Sequence, residues 1–141
     1  PFPLCYNGEL LSPWYRDGVL ARLPQTTAVM VGRGLLADRA LIRKLQGGPG
    51  ADRDTLAAFV AELYEEYVAA FRSRGNAMLR MKEVWSYLLY LFDGGQNFRK
   101  SIQRCRDTGD YERTVEELFR TCPLWPEPEL PWAGETNFGA K

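Results

Sequence analysis

Two short loops carry the residues best suited to holding a phosphate, Asn7-Gly8-Glu9 and Gly32-Arg33-Gly34. Glycine lets backbone N–H groups approach phosphate oxygens because no Cβ stands in the way. An arginine beside it neutralises charge and presents a planar fork of donors. Each loop taken alone also reads as plain structure, since Asn-Gly is a common turn and glycines mark corners. Their separation, about one strand-plus-helix unit, is what joins them into one candidate site.

A second group of residues is cationic. Residues 72–106 hold eight basic side chains against two acidic ones, a net charge of +6 inside a chain whose total is zero. Such a stretch is a candidate footprint for a polyanion. The candidate contacts are Arg80, Lys82, Arg99, Lys100 and Arg104, with Tyr87 placed to stack on a base or sugar. The plainer reading is a solvated helix face, but opposing acids are nearly absent there. Arg80 and Lys82 lie two residues apart and project to different sides of a helix, so only one of them can point straight into a given groove.

Other chemistry finds little support. The chain has no histidine, and Cys5, Cys105 and Cys122 are widely spaced with no CxxC pair. Neither a disulfide framework nor a zinc site is expected; reduced thiols in a cytoplasmic protein are. Glu62, Glu65 and Glu66 fit a solvated face better than acid–base work. No apolar run reaches the ~18 residues of a membrane span. No catalytic or metal-ligating residue is assigned.

The elements that must position these loops follow from punctuation and periodicity. Pro3 to Tyr6 is a short apolar run stopped by Asn7-Gly8. Ser12-Pro13 opens a helix, with Ser12 as N-cap and proline in the first helical position. Thr27-Ala28-Val29-Met30-Val31 is a continuous β-branched and apolar run, expected to be a strand buried on both faces of a parallel sheet. A helix over about 36–45 follows, and its opening near Leu35 would turn a positive end toward a phosphate. Residues 47–51 are a glycine-rich linker. Residues 1–46 therefore read as a right-handed βαβα piece.

Beyond the linker the apolar period is helical. Leu56, Phe59, Val60, Leu63, Tyr67, Val68 and Phe71 form one stripe, capped by Asp52 or Asp54 and closed by Gly75. Met78, Met81, Trp85, Leu88 and Phe92 form a second, which reads as core and not as a cofactor box. Phe98, Ile102 and Cys105 form a third. A fourth helix is expected with Asp110 as cap and Tyr111, Val115, Leu118, Phe119 and Cys122 inward. Four amphipathic helices over residues 52–122 predict a compact bundle. Expected buried positions include Phe59, Leu63, Val84, Trp85, Leu88, Ile102, Val115 and Leu118. Residues 123–141 carry four prolines and read as an extended tail that Trp125 and Trp132 pin down.

The run Leu4-Cys5-Tyr6-Asn7-Gly8-Glu9 and the run Ala28-Val29-Met30-Val31-Gly32-Arg33-Gly34 together resemble the end of the flavin barrel of tRNA-dihydrouridine synthases. Arg80-Met81-Lys82-Glu83-Val84-Trp85-Ser86-Tyr87-Leu88 is similar to that family's tRNA-facing helix, and Asn97-Phe98-Arg99-Lys100-Ser101-Ile102 to the helix after it. The likeness spans roughly residues 3–120, and its wording is nearest the bacterial subfamily that modifies uridine 16. It implies a mainly α chain, with a C-terminal four-helix bundle after a βαβα remnant of the end of a (β/α)8 barrel. It implies FMN, its phosphate held by Asn7, Gly8, Glu9, Gly32 and Arg33, NADPH as reductant and tRNA as partner. The family's catalytic cysteine, lysine and histidine lie on earlier barrel loops and match nothing here. A whole barrel takes about 200 residues or more, so this chain is expected to be inactive alone. Its unpaired strands are expected to promote self-association through Leu4, Val29 and Val31. Two other readings stand beside this one: another FMN barrel with a small-molecule substrate, and a helical interaction module without enzymatic activity.

Overall fold

A computed structural model describes residues 2–8, 10, 12–125 and 130. The chain divides into two compact units, centred on residues 2–50 and 51–125. The described residues form seven α-helices and one two-stranded sheet, so the chain is mainly α.

In the first unit, β1 (Leu4–Asn7) and β2 (Thr26–Met30) run parallel, joined by helix α1 (Pro13–Arg22). The register pairs Cys5 with Ala28, Tyr6 with Val29 and Asn7 with Met30. The Ser12 side chain accepts a hydrogen bond from the Tyr15 N–H at 3.2 Å and Pro13 opens the helix, as the sequence predicts. Leu10, Val19, Ala37, Ala40, Leu41 and Leu45 are buried in this unit.

The strands depart from expectation. Burial on both faces is not seen: Leu4 and Met30 are exposed and Val29 only half-buried. A two-stranded sheet has too few neighbours among the described residues to cover both sides. The single helix expected over about 36–45 is two five-residue helices, α2 (Arg33–Ala37) and α3 (Leu41–Leu45). Asp38 causes the break. Its backbone is extended, one carboxylate oxygen accepts from the Ala40 N–H at 2.9 Å and the other pairs with Lys44 at 3.0 Å. An aspartate that satisfies nearby backbone in this way competes with helix propagation.

The second unit is helical. Helix α4 (Arg53–Phe71) is capped by Asp52, which accepts from the Thr55 N–H at 2.8 Å. It ends at Arg72, in the left-handed region with φ 50°, and not at Gly75, which lies in the first turn of α5 (Arg74–Leu88). Ser73 caps α5, so a two-residue connection ends one helix and starts the next. Two 3₁₀ turns, Leu89–Leu91 and Gly95–Phe98, lead into α6 (Arg99–Arg104). The corner between them needs its glycines. Gly94 has φ 74°, and a Cβ on Gly95 would strike the Leu89 carbonyl oxygen. Helix α7 (Thr108–Thr121) is capped by Asp107, not by Asp110, which sits in its first turn.

Trp85, Leu88, Ile102 and Leu118 are buried as expected, with Leu56, Met81, Leu89 and Phe92. Phe59, Leu63, Val84 and Val115 pack at the edge of this core and are only half-buried. The Trp85 indole N–H donates to the Tyr111 hydroxyl at 2.9 Å inside it. The start of the tail is tied by backbone: the Asp93 N–H donates to the Pro123 carbonyl and the Trp125 N–H to the Leu91 carbonyl, both at 2.8 Å. The Trp125 side chain itself is exposed, and Trp132 lies outside the described residues.

Candidate functional site

The parallel register sets the geometry of the two phosphate-type loops. Asn7 closes β1 directly beside Met30, the last residue of β2, so both loops leave the same end of the pair. Asn7 and Arg33 are exposed. Glu9 lies outside the described residues. Gly8 lies close under the Tyr6 ring, and a Cβ there would make that ring shift. At Gly32 the reverse holds: nothing lies within 4 Å of where a Cβ would be, and φ is −109°. The space beside Gly32 is room the local packing does not use. The exposed Arg33 follows directly in sequence, and glycine backbone with a guanidinium is a pair of groups that can hold a phosphate. Helix α2 spans only five residues, too few for the helix-end contribution expected from the sequence.

In the second unit the six RNA-type residues separate into three kinds. The first kind is structural. Lys82 is buried, and its ammonium donates to the carbonyls of Cys105 at 2.7 Å and Gln103 at 3.2 Å. The Gln103 side chain returns a bond to the Lys82 carbonyl at 3.1 Å. Lys82 is thus a cap for the C-terminal end of α6, where carbonyls lack intrahelical partners and a positive charge is favoured. It is not on a solvent-facing cationic surface, contrary to expectation. Arg99, half-buried, does the same at the other end: it bonds the Ser86 carbonyl at 3.0 Å and the Tyr90 hydroxyl at 3.3 Å, and lies over the Tyr90 ring.

The second kind is partly engaged. Arg80 is exposed but paired with Glu83 one turn on, and Tyr87 is half-buried with contacts of its own. The third kind is open. Lys100 and Arg104 on α6 are exposed and, with Arg106 just beyond it, form no ion pair among the described residues.

No protein-family model matches the chain, and no curated protein matches it closely enough to count as a relative. The site therefore rests on its own geometry.

That geometry includes residues the sequence did not single out. Arg74 lies over the Tyr64 ring, 5.7 Å from its centroid, and reaches Glu65 at 3.1 Å and Glu112 at 3.4 Å. Tyr64 in turn packs on Tyr111, ring to ring at 5.4 Å. Burial raises the pKa of both phenols above the ordinary value, and for Tyr111 the bond from Trp85 opposes this only in part. These groups lock α4, α5 and α7 together. Among the described residues no cluster of acidic, histidine or cysteine side chains has the makings of a metal site. No described helix is long and apolar enough to cross a membrane.

Proposed function

We propose that the chain is the C-terminal part of a flavin-dependent tRNA-dihydrouridine synthase, a cytoplasmic oxidoreductase. In this reading the first unit is the end of a (β/α)8 barrel and the second is a tRNA-binding helical bundle. The observation that carries the proposal is the parallel pairing of β1 and β2, with Asn7 beside Met30, which brings two glycine-containing loops to one end of the sheet. That is the end where barrels of this class collect phosphate groups. Asn7, Gly8 and Gly32 would offer backbone N–H groups to the FMN phosphate, Arg33 would balance its charge, and Glu9 belongs to the same loop. Bound there, FMN supplies the reducing chemistry that turns uridine into 5,6-dihydrouridine, with NADPH as the source of electrons. The second unit would hold tRNA by phosphate contacts from Lys100, Arg104 and Arg80, with Tyr87 at the edge. Lys82 and Arg99 serve this face by holding α6 in place.

The test uses a polypeptide that carries this chain at the end of a complete barrel. Arg33→Ala should weaken FMN binding about tenfold or more, as expected for losing a charged hydrogen-bond donor. Its tRNA affinity should stay within about twofold of the parent. Unchanged FMN affinity would take Arg33 out of the phosphate site. A protein that binds FMN and ignores tRNA would instead be a flavin barrel with a small substrate, and one that binds no FMN would be a helical interaction module.

A further inference from the structure

The connection between the two units is residues 47–51, a stretch rich in glycine. A free linker of that composition behaves as a flexible coil. Most of this one is held. Gly47 has φ 84° and its N–H donates to the Lys44 carbonyl at 2.9 Å; the Gly48 N–H donates to the Arg43 carbonyl, also at 2.9 Å. That pair of bonds, with a left-handed glycine just past the helix, is the Schellman ending, and it satisfies two of the last carbonyls of α3.

The next two residues are held by a side chain. The Nε of Arg43 donates to the Pro49 carbonyl at 2.8 Å and its Nη2 to the Gly50 carbonyl at 2.7 Å. The planar guanidinium carries both donors in fixed geometry, so one side-chain conformation serves both bonds. The stem of Arg43 lies on Gly48: a Cβ there would come within 2.6 Å of Arg43 Cγ and 3.1 Å of its carbonyl oxygen. Pro49 fixes its own φ. On the far side of the connection Asp52 is set as the cap of α4, with its two carboxylate oxygens on the Thr55 N–H and hydroxyl. Ala51 is left between these holds with no hydrogen bond among the described residues. Arg43 is exposed. Its two bonds can therefore break and re-form while α3 stays seated by its buried residues, Leu41 and Leu45.

We propose that Arg43 is the latch of a hinge. With its fork on Pro49 and Gly50, the chain between the units turns only at Ala51. With the fork released, it turns over residues 49–51. Hinges of this kind are a few loop residues that absorb the change in φ and ψ. The freedom of the second unit to reorient is governed by one side chain of the first, whatever either unit binds.

Backbone ¹⁵N relaxation of the whole chain, at a concentration where sedimentation shows a monomer, tests this. In the parent the amides of Gly48 and Gly50 should have order parameters near the ~0.85 of rigid backbone, with Ala51 lower. Arg43→Met keeps the stem over Gly48 and removes the fork. It should drop Gly50 below about 0.6 and leave Gly47 and Gly48, held by backbone, as in the parent. The tumbling times of the two units should then differ more than they do in the parent. A parent Gly50 already below about 0.6, or a Gly50 that stays ordered in Arg43→Met, overturns the latch. Loosening of Gly47 and Gly48 together with Gly50 also overturns it, since Arg43 would then be a brace of α3. Unchanged tumbling times despite a loosened Gly50 overturn it too, because the effect would stop at the loop.

Discussion

Arg80 and Lys82 sit two positions apart on α5 and have opposite surroundings. One is exposed beside Glu83; the other is buried against α6 carbonyls. Helical geometry alone requires them to face different ways, and that much is read from spacing. Which of the two turns inward is not, because the answer depends on α6 ending at the height of Lys82, a tertiary fact. Tyr111 shows the same limit: its apolar spacing marks it as core, while its bond from Trp85 does not show in either residue's neighbours. That bond has a measurable signature. The folded state holds the Tyr111 phenol above the ordinary value of 10.0, chiefly by burial. The sign follows from linkage: above pH 10 the unfolded chain releases a proton that the folded chain keeps. This contribution is therefore fully present below pH 10 and lost as pH rises through and beyond it. Tyr111→Phe should cost about 1 kcal/mol at neutral pH, because the Trp85 N–H loses its partner. The variant should then lose stability less steeply than the parent on going to about one unit above the ordinary tyrosine value. Urea unfolding at the two pH values checks both parts, and parallel pH profiles would count against the linkage.

Helix α6 has only six residues, fewer than an isolated helix needs to be stable in water. Its order comes from its ends, with Arg99 tied to Ser86 and Tyr90 and Lys82 tied to the last turn. Two of the cations in the +6 segment are thereby committed to structure, Arg74 and Arg80 are ion-paired, and the open set among the described residues narrows to Arg72, Lys100, Arg104 and Arg106. Binding of the whole chain to tRNA should weaken as salt rises, and Lys100→Ala should reduce the salt slope by roughly 0.7–0.9. Anisotropy titrations at several salt concentrations give the slope; a slope equal to the parent's would remove Lys100 from the interface. Periodicity located α4, α5 and α7 well because each buries a stripe many turns long. It failed at α2 and α3, where one aspartate side chain outweighs the apolar pattern, and at the cap of α7, where Asp107 and Asp110 both suit the first turn. Phe59, Leu63, Val84 and Val115 follow the right period but lie on the margins of their stripes, where neighbouring helices cover only part of each side chain.

Across the whole chain the two units differ in how completely they bury what they carry. The second has a continuous core from Leu56 to Cys122. The first leaves Leu4, Met30, Leu35, Leu36 and Ile42 exposed. Parallel sheets normally have both faces covered, and an uncovered apolar strand invites another chain. The chain is therefore expected to self-associate with rising concentration, and Met30→Lys should shift it toward monomer. Sedimentation velocity over a range of concentrations measures this. A parent that stays monomeric throughout, or a variant that associates as the parent does, would show that the strands are not the contact. The parallel strands were foreseen from their residues, but their exposure was not, because the residue types report what a strand prefers and not how many neighbours it has.

The buried ammonium of Lys82 has one more consequence, in covalent reactivity. Acylating reagents need a deprotonated, reachable amine, and Lys82 has its donors on two carbonyls with the residue 8% exposed. Lys100 faces solvent on the neighbouring helix. Under brief treatment with an amine-reactive ester, Lys100 should acquire its label promptly while Lys82 stays unmodified. Lys82 should react only when α5 and α6 part, so its slow labelling rate becomes a clock for opening of the helical unit. Mild urea should speed that clock and leave the Lys100 rate nearly unchanged. Equal rates at the two lysines under native conditions would mean that α6 leaves its seat far more often than its bonds imply.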